Sequence, residues 1–190
     1  MVIAGIFGGL VLLAVIIVVW AISVYNRLIN HRTLKEEGWS GIDVQLKRRH
    51  DLVGNLVNAV KGYLQHERGV LEAVTRMRAS AQQAGGAAGV AAVAAAEAGL
   101  SQALGRLFAL MENYPALKAS ENVMQLQQSL SDLEHEIQMA RRYYNATVRD
   151  LNILIQSFPS SIIARRYGFK EGEFFELDSM AEKALPQVSL

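Results

Sequence analysis

The stretch Trp39–Met77, WSGIDVQLKRRHDLVGNLVNAVKGYLQHERGVLEAVTRM, decides the fold. Steps of three and four residues visit Trp39, Ile42, Leu46, Arg49, Val53, Leu56, Val60, Tyr63, Glu67, Val70, Val74 and Met77, and ten of these twelve positions are apolar. Residues so spaced lie on one side of a helix and form the seam along which long helices pack nearly parallel or antiparallel. Arg49 and Glu67 interrupt it. Each is either a buried polar group that fixes register or a residue at the seam's edge whose stem covers apolar surface, and the edge placement is the plainer.

Two further seams follow. One runs through Val123, Leu126, Leu130, Leu133, Ile137, Ala140, Tyr144, Thr147, Leu151, Leu154 and Phe158, and a shorter one joins Leu100, Leu104, Leu107, Met111 and Tyr114. The three prolines stand at 115, 159 and 186, so Pro115 and Pro159 mark two helix ends and no missing donor interrupts the first 114 residues. Sustained alternation of period two is absent, which argues against a sheet. The expected fold is all-α: three helices sharing one core in an extended antiparallel bundle with coiled-coil-like helices. Unbroken helix over 27–80 would make a rod of about 80 Å, and helix over 119–157 one of about 58 Å. Between them, AGGAAGVAAVAAAEAG (Ala84–Gly99) reads as a flexible turn followed by an Ala-rich helix start.

Outward from the seams, the N-terminal 26 residues carry no charge. Val2–Val24 is an apolar run of 23 residues; as a helix it would be about 34 Å long, enough for the hydrocarbon core of a bilayer. Trp20 and Tyr25 stand near its C-terminal end, where interfacial aromatics are favoured. A cleaved signal peptide fits less well, because the run is long and no basic residue precedes it. Arg27, Arg32 and Lys35 follow the run, so the positive-inside rule puts the C-terminal part in the cytoplasm and a short N-terminus outside. Gly5 and Gly9 form a GxxxG pair that would let two spans approach closely, although small residues are common in membrane helices in any case.

Composition narrows the chemistry. With 190 residues, 51% hydrophobic and 19% charged, the chain is neither a disordered tail nor a polar linker, and a net charge of +1 argues against general nucleic-acid binding. It has no cysteine, which excludes disulfides and thiolate chemistry. The four histidines are His31, His50, His66 and His135. His66-Glu67 begins no HExxH, and His66 reads as a surface residue rather than a metal ligand. Nucleophile elbows, P-loops and GxGxxG turns are also missing. The basic run Lys47–His50 is best paired with acidic groups of another helix: residues 27–80 carry ten basic and six acidic residues, and residues 97–190 nine and twelve.

The residues also resemble a known family. Trp39–Glu67, Glu112–Asn145, the Asn152 region and Ser157–Phe169 are similar, in order, to the conserved blocks of LemA family proteins, as is YNRLINHR (Tyr25–Arg32) directly after the apolar run. Gly54 departs from the pattern, which usually has proline there; glycine makes a bend optional. The resemblance implies a bacterial membrane-anchored helical bundle, related to proteins that take part in forming magnetosome membranes and often encoded near membrane metalloproteases. It carries over no catalytic residue and no cofactor.

The expected organisation is an anchor over 1–26, a helical bundle over 27–170 with a small-residue tip at 81–99, and a tail over 171–190; the aromatic-rich C-terminal 30 residues are expected to dock on their own bundle rather than on a neighbour. The expected function is a non-enzymatic scaffold in the bacterial inner membrane, self-associating through its long helices and organising the lipid bilayer. An adaptor presenting clients to a membrane protease is the alternative. Candidate packing or oligomer contacts are Gly5, Gly9, Trp39, Arg49, Gly54, Glu67 and Tyr144.

Overall fold

The computed structural model describes residues 2–87 and 89–176, the side chains of 2–5, 86 and 87 excepted. The elements are α1 (Val2–Val60), α2 (Arg68–Ala87), α3 (Val90–Met111), α4 (Pro115–Lys118), α5 (Glu121–Gln156) and α6 (Ser160–Arg166), and no strand occurs among the described residues. The all-α expectation holds. The expected tail lies largely beyond the described residues, which end at 176.

One difference is decisive. Helix does not run on to residue 80: α1 stops at Val60, and Lys61–Glu67 folds back through tight turns in which the Tyr63 and Leu64 amides donate to the Val60 carbonyl. Leu64, Leu71 and Val74 are then buried alongside Val53, Leu56 and Val60. A straight rod would leave those apolar side chains in water, at a cost of about 1.5–3 kcal/mol for each one fully exposed. Three seams therefore become four packed helical segments, because the first seam is shared between α1 and α2.

The chain divides into two compact units. Ser40–Arg142, with residues 173–176, is a bundle of the C-terminal part of α1, then α2, α3, α4 and the N-terminal part of α5. Its core joins Val53, Leu56, Val60, Val74, Leu100, Leu107, Leu117, Val123 and Leu130. α1 passes through Gly54 without a break, and the space of a Cβ there is taken by the Arg78 guanidinium, 3.1 Å away. Arg78 Nε in turn donates to the His50 carbonyl over 2.6 Å, tying α2 to α1. The Ala/Gly tract does supply the start of α3, but its first part is not a turn: α2 runs on through Gly85 to Ala87. Phe175 is buried, with the Arg141 guanidinium 5.1 Å from its ring centroid, so this aromatic of the C-terminal segment does dock on its own chain.

The second unit combines Met1–Trp39 with Tyr143–Gly172. Its core is Val24, Leu28, Leu151, Ile155 and Ala164, with Trp20, Leu154, Ile163 and Phe169 against it. α1 and α5 approach closely at Gly38, where a Cβ would lie 3.2 Å from the Tyr144 Cα. α6 ends in a Schellman motif: Gly168 has φ +71, its amide donates to the Arg165 carbonyl, and the Phe169 amide donates to that of Ala164. The chain is thereby turned so that Phe169 meets Tyr25 edge-on at 5.9 Å. Further along, Asn152 holds the Gly172 peptide from both sides, donating to its carbonyl over 3.0 Å and accepting from its amide over 2.8 Å.

Candidate functional site

The most unusual feature of the larger unit is a charge cluster within its core. Arg49 is 4% exposed, His50 5% and Glu97 2%. Arg49 Nη1 donates to Glu97 Oε2 over 2.7 Å, and Nη2 donates to Ser101 Oγ over 2.8 Å and reaches Glu134 as well. His50 Nε2 lies 2.7 Å from the other Glu97 oxygen, Oε1. α1 thus supplies a cation and an imidazole on consecutive residues, α3 a carboxylate and a hydroxyl one helical turn apart, and α5 a second carboxylate. Burying such ions costs several kcal/mol each, offset only when every partner is in place.

The sequence placed Arg49 at a seam edge; the structure places it inside. The reason lies 48 residues away, in a glutamate that meets it in the core. Glu97 is the only charged residue between Arg78 and Arg106, and that isolation in an Ala-rich helix was a readable sign of a buried partner. The expected pairing of the Lys47–His50 run with acids on other helices is present, with Arg48 Nη1 also 3.3 Å from Glu136.

Beside the cluster a cleft of about 480 Å³ is lined by Arg49, Ser101, Leu104, Phe108, Leu130 and Glu134, among others. One end is ionic and the other apolar. Arg49 Nε has no hydrogen-bond partner among the described residues. The Ser101 oxygen accepts from the guanidinium, so this hydroxyl is held by a cation and not by a base.

The other sequence-derived candidates fall as follows. Trp39 packs on Tyr144 with ring centroids 5.5 Å apart, within the smaller unit. Glu67 sits in the turn after α1 and accepts from the Tyr114 hydroxyl over 3.2 Å; desolvation, with Glu67's hydrogen bond and charge, raises the Tyr114 pKa above the ordinary phenol range. Gly54 faces Arg78. Gly9 has open space where a Cβ would be, while the surroundings of Gly5 lie outside the described residues. His66 is exposed, as expected. Trp39, Arg49, Gly54, Glu67 and Tyr144 therefore all make contacts inside one chain.

The pattern that defines the LemA family matches residues 38–190, which takes in all three seams, the Arg49–Glu97 cluster and the Asn152–Gly172 clamp. The chain belongs to the LemA family. This LemA-family chain is also 27% identical over 175 residues to magnetosome protein MamQ of Magnetospirillum gryphiswaldense. It is 27% identical, again over 175 residues, to magnetosome proteins MamQ 1 and MamQ 2 of Paramagnetospirillum magneticum. Each alignment covers 80% of this chain and 64% of the relative, so the chain spans less than two thirds of the curated relatives it matches.

The N-terminal part of α1 completes the picture. Every residue from Ile6 to Val19 is exposed, and contact with the rest of the chain begins at Trp20. By length and composition this helix is able to cross a membrane, with mean hydropathy 2.8 over its most apolar window. It is apolar on all sides.

Proposed function

We propose that this LemA-family protein is a non-enzymatic, membrane-anchored scaffold. It crosses the bacterial inner membrane once through the N-terminal part of α1, keeps its helical bundle on the cytoplasmic side, self-associates, and organises the lipid around it. The observation that carries this reading is the exposed apolar helix from Ile6 to Val19, continuous with the bundle through α1. A soluble protein would hide such a surface, and a bilayer satisfies it because a helix already pairs its own backbone groups.

Three points support the finer parts. The description of the relatives as magnetosome proteins fits a role at a membrane. Arg27, Arg32 and Lys35 immediately after the apolar run favour the cytoplasmic placement of the bundle. Gly8 and Gly9 leave open space on the helix surface, where a second span can approach. The buried ion cluster belongs to this reading as a structural device: it fixes which faces of α1, α3 and α5 meet, and it offers no activated nucleophile.

The test is the mass of the full-length protein extracted in detergent or polymer, by mass photometry with negative-stain imaging of the same sample. A defined, multi-subunit particle is the expected result. A strictly monomeric protein overturns the scaffold and turns attention to the adaptor reading, in which crosslinking in cells traps a membrane protease or another hetero-partner in preference to a second copy.

A further inference from the structure

The smaller unit contains a second apolar surface that the scaffold reading does not use. After α5 ends at Gln156, Phe158 is 83% exposed, Ile162 on α6 51% and Tyr167 62%. Their neighbours Ser160, Ser161 and Ala164 are buried and hold the turn in place, with Ser160 Oγ donating to the Leu154 carbonyl over 2.7 Å. These side chains are thus displayed by a fixed piece of structure.

Their height along α1 follows from helix geometry. α1 and α5 touch at Gly38 and Tyr144 and run in opposite directions, since Val24, Leu28 and Ile155 share a core further along. Both helices rise by the same ~1.5 Å per residue. Counting back from Gly38 and forward from Tyr144 by equal steps brings Phe158 level with Val24, the last residue of the apolar run. The contacts agree, because Trp20 joins the core that holds Ala164 and Ile163 of α6, and Tyr25 lies 4.8 Å from Tyr167 between ring centroids.

Charge completes the pattern. No acidic residue occurs before Glu36 or between Asp150 and Glu171, whereas Arg27, Arg165, Arg166 and Lys170 are all present and exposed. An exposed apolar and aromatic edge, level with the end of a membrane span and flanked only by cations, matches the boundary between acyl chains and anionic headgroups.

We infer that the α5–α6 turn is a second membrane contact: Phe158 and Ile162 enter the interface of an anionic bilayer, with Arg165 and Arg166 at the headgroups. The inference rests on the reading of α1 as a membrane span. Two attachments, one spanning and one interfacial, fix the tilt of the protein against the membrane plane and the side it turns to the lipid, which a single span leaves free.

The native chain has no cysteine, so single positions can be labelled cleanly. Full-length Ile16→Cys, Phe158→Cys, Ile162→Cys and Arg149→Cys, each carrying an environment-sensitive fluorophore, are reconstituted in vesicles of phosphatidylethanolamine and phosphatidylglycerol. Nitroxide lipids quench from within the bilayer and iodide quenches from water. The expected result is deep lipid quenching at 16, shallow lipid quenching with blue-shifted emission at both 158 and 162, and several-fold weaker iodide quenching there than at 149. If 16 is quenched by lipid while 158 and 162 behave like 149, the interfacial contact is overturned and the span stands. Labels at 158 and 162 shielded from both quenchers overturn it too, since protein then covers the turn. An absence of lipid quenching at 16 overturns the span reading, and the inference with it.

Discussion

In Ser40–Arg142, α1 and α5 pack with α2 and α3, and the core that results is thick enough to bury an arginine, a histidine and a glutamate. In the unit built from Met1–Trp39 and Tyr143–Gly172 the same two helices have only α6 beside them, and the buried polar side chains described there are hydroxyls: Thr147, Ser160 and Ser161. Two of these hydroxyls are satisfied locally, Thr147 by the Tyr144 carbonyl and Ser160 by those of Leu154 and Ser157. The ions are satisfied only by partners from other helices. A buried charge therefore specifies which helices assemble, whereas a buried hydroxyl trims a helix end or turn. The larger unit adds a long-range ion cluster to its apolar core, whereas the smaller relies on apolar and aromatic contacts and one side-chain clamp.

The sharpest way to break that contrast is Glu97→Ala. It leaves Arg49 with Glu134 and Ser101 only and strands His50, so the larger unit is expected to lose about 3–5 kcal/mol, read by chemical denaturation followed by circular dichroism. The combined change Arg49→Met, His50→Leu and Glu97→Leu removes the ions together and is expected to match or exceed the parent in stability. If the single change is silent, the cluster does not organise this unit.

Next in size is Asn152→Ala in the smaller unit. It leaves the Gly172 amide and carbonyl without their side-chain partner, and a loss of about 1–3 kcal/mol is expected. Hydrogen exchange should accelerate at Gly172 and its neighbours while the core amides of the larger unit keep their protection. Equal acceleration in both units would show that the clamp is not local.

The smallest expected effect concerns Tyr114. Desolvation and the Glu67 contact raise its pKa, so the folded state favours the neutral phenol. That contribution is complete below the unfolded phenol's pKa, about 10, and is lost as the pH rises through the higher folded value. Tyr114→Phe should accordingly flatten the alkaline limb of the stability profile while changing little near neutrality. An alkaline limb identical to the parent's would assign that loss of stability to other groups.

Much of this could be read directly. Val53, Leu56 and Val60, picked out by spacing alone, are fully buried, as are Leu100 and Leu107. Two readings failed for one reason. The first seam was extended through Tyr63 and the second through Phe158, yet Tyr63 is 49% and Phe158 83% exposed, because both lie just past the ends of their helices. Periodicity extrapolates; it does not say at which residue a helix gives out, neither after Val60, where no proline stands, nor before Pro159, where the helix stops at Gln156.

By itself the sequence determined the all-α class, the faces that pack, the apolar segment at the N-terminus and the family. These depend on spacings of three and four residues or on uninterrupted apolar runs, which are local properties of a helix. Only the tertiary structure decided the turn after Val60, the burial of Arg49, the sharing of one seam between two helices, and the placing of Phe158 level with Val24. Each depends on a group far away in the chain, whether a carboxylate, a core that must be covered or an antiparallel neighbour. No local pattern records which distant residue will arrive.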